Sequence, residues 1–381
     1  MNVAVLNHRE ILRETPVYRI HRSGRFLVAE LLQPHVVLST SVKNGGQSES
    51  IRYLLNHQSC EAAAHLERHE VIHGNGLKSY HDLACREADL DPEHVVLMGT
   101  AANMNYASVV AYRSDDVAVT AVVTAGVSGN AECAADPTTW GEGAAGFRKI
   151  SPYEGTINTM LLVNRMLAPN ALAAAAMVMT EAKGAALQRL AVRSRYSREF
   201  ATGTNTDQYC IACPRDALPP LTSVSTGVRA GEIIGRAVRD ATIEALRWQN
   251  GLEASYARSL FHALGAYGVK EETFFDEISG CLTEAQLGLL KANRKAVIFE
   301  PLVAASAFAM ASVLDRVRHG ILPAGAAREA LRQQAASMAA SVAAQPQRWP
   351  EFHRGVGEVD LGRPARAVLN AIALGWAAKW T

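Results

Sequence analysis

Cysteine is scarce in this sequence. Six cysteines occur in 381 residues, at positions 60, 85, 133, 210, 213 and 281. This density is far below that of a disulfide-stabilised scaffold and is typical of proteins from reducing compartments. Cys210 and Cys213 form a C-x-x-C pair, but the pair lies in an apolar run that ends at Pro214. A zinc site would need a second pair. We therefore predict two small buried side chains on a strand.

An excess of one charge and long apolar runs are also missing. The chain has 38 basic and 37 acidic residues, so its formal net charge is +1. This balance offers no attraction to nucleic acid or to an acidic membrane surface. The longest apolar stretches, Ala171–Met179 and Leu302–Leu314, are too short to span a bilayer. The charged N-terminus does not resemble a signal peptide, and we expect a cytoplasmic protein without nucleic-acid or membrane partners.

Several motifs of common enzyme classes are absent from the sequence. There is no P-loop, no G-x-G-x-x-G after a strand, no H-E-x-x-H and no G-x-S-x-G. His65, His69 and His73 have helical spacing and would share one helix face. A metal ligated there would normally need a ligand from elsewhere, and charged residues lie between the histidines. A solvated helix face is therefore favoured, and we predict neither a metal site nor a cofactor.

The composition that is present indicates a globular protein with two regions. Hydrophobic residues make up 49% of the chain and charged residues 20%. We predict an α+β fold for residues 1–250, a layered sandwich of β-sheets flanked by helices. Residues 251–381 carry helical patterns, such as Pro301–Arg318 and Pro323–Ala344, and should form an all-α C-terminal domain. That domain would serve as a lid, a homo-oligomer contact, or both.

Short Val-rich runs predict strands in the first region, and three of them lead into loops of small residues. Such loops let a backbone approach a ligand closely, although they also suit plain turns. The loops are Ser39–Gly46, Gly99–Asn105 and Thr124–Asn130. The predicted strands are Arg25–Leu32, Pro34–Ser39, His94–Met98, Ala107–Tyr112, Val117–Val123, Thr156–Val163 and Gln208–Cys213. The predicted helices run from Pro169 to about Leu190 and from about Ala230 to Asn250.

Thr156 is a candidate nucleophile, because it directly follows Gly155 and begins an apolar strand. A hydroxyl is a weak nucleophile near neutral pH and needs a base. One such base is the amine of the same residue, which self-cleavage of the preceding peptide bond would release. The alternative is that Thr156 is simply a β-branched residue that starts a strand.

Two loops could support such chemistry. The loop Ala201–Asp207 offers several donors and one carboxylate to a polar substrate, although a helix-to-strand turn uses the same residue types. In the segment Thr124–Val127, backbone N–H groups and the threonine hydroxyl could form an oxyanion hole. The alternative there is a tight connection between a strand and a helix.

Six segments together resemble the adenosylcobinamide amidohydrolase family of corrinoid salvage, in its order and spacing. The resemblance extends over about residues 10–250. Two departures stand out: Asn205 occupies the position of a glycine in the family's usual Gly-Thr-Gly-Thr-Asp loop, and residues 253–381 have no counterpart in short members. The segments are 35–46, 95–104, 122–131, 154–164, 180–190 and 201–212.

A second resemblance, in layout only, is to the ornithine acetyltransferases and the β-aminopeptidases. In both, a Thr or Ser that heads such a strand becomes the nucleophile after self-cleavage. By that analogy Thr156 is the nucleophile, while Thr124 and Gly126 bind the oxyanion. Asn158 and Asp207 would position the substrate. A shared layout does not establish a mechanism.

The family resemblance implies hydrolysis of a carbon–nitrogen amide bond, from adenosylcobinamide to adenosylcobyric acid and aminopropanol. A cobalt corrinoid would be the small-molecule substrate and not a cofactor. If the chain does not self-cleave, Lys43 or Lys183 could activate the hydroxyl, or water could attack the substrate directly. Of the two lysines, Lys43 is favoured by its position beside a small-residue loop. The predicted substrate-binding residues are Asn44, Gly45, Gly46, Asn158, Thr204, Asn205, Thr206 and Asp207.

Two other functions stay open. The same scaffold could be an amidase, a peptidase or an acyltransferase that acts on a different small amide. Alternatively, the chain could bind a small molecule without turnover.

Overall fold

The computed structural model of the chain describes residues 9–59, 76–137, 140–143, 146–149, 155–215 and 218–379. The chain divides into two compact units, Met1–Leu252 and Glu253–Thr381. The three spaced histidines His65, His69 and His73 lie outside the described residues.

The first sheet of the first unit has five strands in the order β1-β2-β3-β6-β7. Strands β6 and β7 are parallel, and the other neighbours are antiparallel. Helix α1, Gly76–Glu87, covers the outer face of this sheet through Tyr80, Ala84 and Cys85. The strands are β1 (Glu10–Glu14), β2 (Tyr18–Ser23), β3 (Phe26–Leu31), β6 (Tyr53–Gln58) and β7 (Val95–Thr100).

The second sheet has six strands in the order β5-β4-β15-β13-β9-β8. β13 is central: it is parallel to β15 and antiparallel to β9. Helices α2 (Pro169–Arg189) and α3 (Arg229–Asn250) cover its outer face. The strands are β4 (His35–Ser39), β5 (Gly46–Ser48), β8 (Ser108–Ser114), β9 (Val117–Gly126), β13 (Thr156–Val163) and β15 (Gln208–Pro214).

Alternating side chains of β13 hold the layers together. Met160 and Leu162 pack between the two sheets, with Leu54 of β6 among their neighbours. Ile157 and Leu161 point the other way and pack under the helices. Every residue of β13 is buried, as expected for a central strand with apolar contacts on both faces. The result is a four-layer helix–sheet–sheet–helix sandwich, and the predicted fold class is confirmed.

Several sequence predictions differ from the structure in detail. Thr124–Gly126 continues strand β9 instead of forming a loop. Strands β1 and β2 were not predicted, because their charged residues obscure the hydrophobic pattern of a strand. The described part of this unit also contains four short strands: β10 (Ala131–Glu132), β11 (Trp140–Gly143), β12 (Gly146–Lys149) and β14 (Gly203–Thr204).

The prediction for the C-x-x-C pair is confirmed. Cys210 and Cys213 are both fully buried on β15. Burial raises the pKa of the Cys210 thiol, because the thiolate would lose its hydration.

All regular elements that the structure describes in the second unit are helical, as predicted. The core is rich in alanine, which allows close helix packing; Gly375 lies against the backbone oxygen of Ala339. Among the described residues, no helix is long and apolar enough to cross a membrane. The helices are α4 (Ala254–Ala257), α5 (Leu260–Leu264), α6 (Glu271–Ser279), α7 (Glu284–Ala292), α8 (Lys295–Ile298), α9 (Pro301–Arg318), α10 (Ala324–Ala343), α11 (Trp349–Val356) and α12 (Pro364–Ala377).

Candidate active site

The first residues of β13 are the centre of a polar cluster. Thr156 pairs across the ladder with Gly126 of β9, and Asn158 pairs with Thr124. The side-chain amide of Asn158 also donates to the carbonyl oxygen of Gly99 at the end of β7, at 3.0 Å. The cluster therefore lies where the ends of both sheets meet.

The carbonyl oxygen of Gly155 accepts hydrogen bonds from two side chains. Asn130 Nδ2 donates to it at 2.7 Å, and the Thr206 hydroxyl donates to it as well. A Cβ atom at position 155 would lie 2.2 Å from Asn130 Oδ1 and 2.8 Å from the carbonyl oxygen of Gly126. Only glycine fits there, because real Cβ atoms do not approach other atoms so closely.

The Thr156 hydroxyl continues the same chain of hydrogen bonds. Its oxygen lies 2.7 Å from the Thr206 hydroxyl oxygen. Since Thr206 donates its proton to the carbonyl of Gly155, Thr156 donates to Thr206. The candidate nucleophile is thus hydrogen-bonded, through one hydroxyl, to the carbonyl group that precedes it in the chain.

Asp207 connects the loop after α2 to this cluster. Its Oδ1 accepts from the backbone N–H of Ile157 at 2.9 Å and from the Thr204 hydroxyl. Its Oδ2 accepts from the backbone N–H of Thr204 at 3.0 Å and from the ammonium group of Lys183. Four donors from its own chain surround this carboxylate. The geometry therefore favours a positioning role for Asp207 over the predicted direct contact with substrate.

A buried network of amides lies behind Thr156. Asn56 Nδ2 donates to the Thr124 hydroxyl oxygen at 2.8 Å, and Asn158 Nδ2 donates to Asn56 Oδ1 at 3.0 Å. All three side chains are at most 1% exposed. The predicted oxyanion residue Thr124 is thus held by Asn56, while Gly126 lies directly opposite Thr156.

The loop around Lys43 lies at a different place. The Lys43 ammonium group is 2.9 Å from Asp82 and 2.7 Å from Glu93, and these contacts raise the pKa of Lys43, the hydrogen bond that it donates to Glu93 most strongly. A raised pKa disfavours the neutral amine that a general base requires. Asn44 Nδ2 donates to the carbonyl oxygens of Pro92 and Val95.

The small residues of this loop support its turn. Gly45 is so close to the carbonyl oxygen of Ser41 that a Cβ would lie 1.9 Å away, and Gly46 has a φ of +79°. The hydrogen bonds of Lys43 and Asn44 go to Asp82, Glu93, Pro92 and Val95, so the structure gives this loop partners other than Thr156.

A cleft of about 630 Å³ borders the cluster. It contains Lys183 and Asp207, together with hydroxyl and amide side chains from α2 and the loop before β15. Glu132 also lines it, and burial raises the pKa of Glu132, with further contributions from Asp136 and Asp207. Its polar lining includes Thr180, Gln188, Thr202, Thr204 and Asn205.

Asn130 is absent from the residues to which the sequence points, and Lys183 is only the less favoured of the two candidate lysines. Asn130 ends a small-residue loop and has the character of an ordinary turn residue. Lys183 lies on an alanine-rich helix, where lysine is usually solvated, yet its side chain is only 15% exposed and pairs with Asp207. The role of each residue becomes visible only through hydrogen-bond or ion-pair partners that are distant in sequence.

Comparisons with known proteins match this part of the chain. The model of the family described as adenosylcobinamide amidohydrolase matches residues 9–254. An uncharacterized protein of Methanocaldococcus jannaschii is 31% identical over 191 residues, which cover 46% of this chain and 72% of that protein. The matched region contains all of the cluster around Thr156.

Proposed function

Because this chain belongs to the adenosylcobinamide amidohydrolase family, we propose that it hydrolyses the amide bond between the corrinoid and aminopropanol in adenosylcobinamide. The products are adenosylcobyric acid and aminopropanol. The observation that carries the proposal is the hydroxyl of Thr156, which begins the central strand within a family match that includes every residue around it.

In this proposal Thr156 Oγ1 attacks the amide carbonyl carbon of the substrate and forms an ester, and aminopropanol leaves with a proton. Water then hydrolyses the ester and regenerates the hydroxyl. Thr206, 2.7 Å away, takes up the proton of the attacking hydroxyl as it gives its own proton to the oxygen of the amide carbonyl, and collapse of the intermediate passes that proton to aminopropanol. Asp207 and Lys183 position the loop that carries Thr206, since Asp207 also holds the N–H next to Thr156.

The cleft supports a substrate that is rich in amide groups. Its hydroxyl and amide side chains can donate and accept hydrogen bonds, and corrinoids carry several peripheral amides. A cobalt corrinoid is thus the substrate in this proposal, and no resident cofactor takes part. Cytoplasmic location and oligomer contacts through the helical unit stay predictions.

The test is incubation of the purified full-length chain with adenosylcobinamide, with mass spectrometry of the products. We expect adenosylcobyric acid and aminopropanol in equal amounts, and no products from the Thr156→Val variant. A panel of amides without a corrin ring serves as the comparison. Turnover of a panel amide alone would support a different amidase, whereas binding of the corrinoid without turnover would support a binding protein.

A further inference from the structure

We propose that the peptide bond between Gly155 and Thr156 is the first bond this chain cleaves, and that this self-cleavage opens the active site. The inference rests on the proposed role of Thr156 as nucleophile. It goes further, because it assigns a function to Asn130 and makes the peptide bond before Thr156 the first substrate of the site.

The Gly155 carbonyl group already has the surroundings of a reacting carbonyl. An oxyanion hole consists of preorganised donors directed at the oxygen on which negative charge develops. Asn130 Nδ2 at 2.7 Å and the Thr206 hydroxyl are two such donors on one oxygen. The Asn130 amide is itself oriented, because its nitrogen also contacts Asn205 Oδ1.

The absence of a side chain at position 155 permits this arrangement. A Cβ there would collide with Asn130 Oδ1 at 2.2 Å. The same requirement leaves the carbonyl carbon of Gly155 open to attack by the adjacent hydroxyl. Two side-chain donors from distant segments, 25 and 51 residues away, converge on this one carbonyl oxygen.

The hydrogen bonds also supply a path for the proton. Thr156 Oγ1 attacks the carbonyl carbon of Gly155, and its proton passes to Thr206 Oγ1 at 2.7 Å. Thr206 in turn gives its own proton to the developing oxyanion. Collapse of this intermediate breaks the C–N bond, returns a proton to the nitrogen of Thr156 and leaves an ester between Gly155 and the Thr156 hydroxyl. One water molecule hydrolyses the ester to a Gly155 carboxylate and a free Thr156 hydroxyl.

Cleavage changes the site in two ways. It creates an α-amine on Thr156, whose ordinary pKa near 8 makes it a suitable base for its own hydroxyl. It also frees Asn130 and Thr206 from the Gly155 carbonyl, so that they can bind the carbonyl oxygen of a substrate amide. In the uncut chain the preceding residue occupies those two donors.

The two fragments should stay together after the cut. Strand β13 would begin the second fragment, and it remains paired with β9 of the first fragment along the whole strand. The buried contacts between the two sheets also join the fragments. We therefore expect one folded particle that contains two chains.

The experiment is intact mass and N-terminal sequencing of the full-length chain, fresh and after a day of incubation. We expect two fragments, one ending at Gly155 and one beginning at Thr156, whose summed mass exceeds that of the uncut chain by one water. Under native conditions they should elute together. Thr156→Val should stay uncut, and Thr156→Ser should still be cut.

Thr159→Val is the matched control, because Thr159 is a buried threonine on the same strand without a place in the proton path. It should be cut like the natural chain. Circular dichroism of each variant checks that it folds. An uncut natural chain overturns the inference whatever its activity, and if it turns over adenosylcobinamide the proposed function stands without it. A cut chain that leaves adenosylcobinamide intact supports the inference and contradicts the substrate.

Discussion

The side-chain nitrogen of Asn130 lies 2.7 Å from the carbonyl oxygen of Gly155 and donates a hydrogen bond to it. The same nitrogen contacts the side-chain oxygen of Asn205. By the sequence resemblance, Asn205 stands at a glycine position of the family's loop, and its side chain adds a group that orients Asn130. The pair of asparagines thus joins the loop after β9 to the loop before β15, next to the residue that precedes the central strand.

Loss of the Asn130 amide should slow cleavage of the Gly155–Thr156 bond. We expect Asn130→Ala to reduce its rate by about 100-fold or more, the usual effect of removing one oxyanion donor. A time course of fragment formation measures this rate. Asn170→Ala is the control, because Asn170 makes a similar bond, to the carbonyl oxygen of Thr222 at 2.7 Å, on an exposed surface. Equal rates for both variants would contradict the role of Asn130.

Replacement of Asp207 should destabilise the first unit more than replacement of Lys183. Asp207→Ala leaves the N–H groups of Ile157 and Thr204 and the Lys183 ammonium without their acceptor. We expect a loss of about 3 kcal/mol in the free energy of unfolding. Lys183→Met keeps the apolar stem and leaves Asp207 three donors, so about 1 kcal/mol is expected. Urea denaturation measures both, and the reverse order would argue against Asp207 as the organising group.

His57 should make the first unit sensitive to acid. Its ring is fully buried, stacks on Phe26 and lies 2.6 Å from the Tyr80 hydroxyl oxygen. Burial, with a smaller effect of Arg25, lowers the pKa of His57 to about 3 from its ordinary 6.5. Between these values the unfolded chain binds a proton that the folded chain does not, so stability falls as the pH falls.

Within that window, the contribution of His57 to the free energy of unfolding should fall by up to about 1.4 kcal/mol for each pH unit toward acid. Urea denaturation of the natural chain and of His57→Gln at pH 4 to 7 isolates it, because other groups contribute equally to both. The difference in stability between the two proteins should shrink toward acid pH. A difference that is constant over this range would show that His57 titrates normally.

The contribution of Glu132 to the stability of the first unit should depend on pH in the opposite direction to that of His57. Burial, then Asp136 and Asp207, raise the pKa of Glu132 above its ordinary 4.5. The folded state therefore binds a proton more tightly than the unfolded state, and this contribution is present below pH 4.5 and lost as the pH rises through the folded-state pKa. Glutamine does not ionise, so the Glu132→Gln variant should not lose stability in this way as the pH rises. The melting temperature of the variant should therefore exceed that of the natural chain at pH 7 but not at pH 4. The absence of this crossover would contradict the shift.

The helical unit should depend on one glycine and tolerate another. A Cβ on Gly375 would lie 2.3 Å from the carbonyl oxygen of Ala339, whereas none of the atoms around Gly288 would lie within 4 Å of such a Cβ. Gly375→Ala should cost about 2 kcal/mol because the helices must separate. Gly288→Ala should stabilise helix α7 by about 0.5–1 kcal/mol. Thermal denaturation of the full chain compares the two, and similar effects would contradict the close packing.

Much of the sandwich could be predicted from local patterns. The run Thr156–Val163 is a strand with the predicted bounds, and Pro169 begins a helix in which its missing N–H has no cost. The polar strands β1 and β2 were missed, since charges on their exposed side chains mask the alternation. Thr124–Gly126 was predicted as a loop because small residues are typical of turns, but pairing with Thr156–Asn158 keeps it extended.

Some residues of the candidate site could also be chosen from the sequence, whereas others could be identified only from the structure. Thr156, Thr206 and Asp207 could be chosen from motif and residue type, and the structure brings these three together. Lys43 was favoured over Lys183 for its glycine-rich neighbourhood. The ion pairs with Asp82 and Glu93 hold Lys43 elsewhere, whereas Lys183 reaches Asp207.

By itself, the sequence determined most of the apolar strands, the long helices, the family and the hydroxyl at the head of β13, because periodicity and motifs are local properties of a chain. Only the tertiary structure decided which side chains surround that hydroxyl. Asn130 lies 25 residues before Gly155 and Thr206 lies 51 residues after it, and the two meet at one carbonyl oxygen. Sheet pairing creates that meeting point, and no spacing along the chain encodes it.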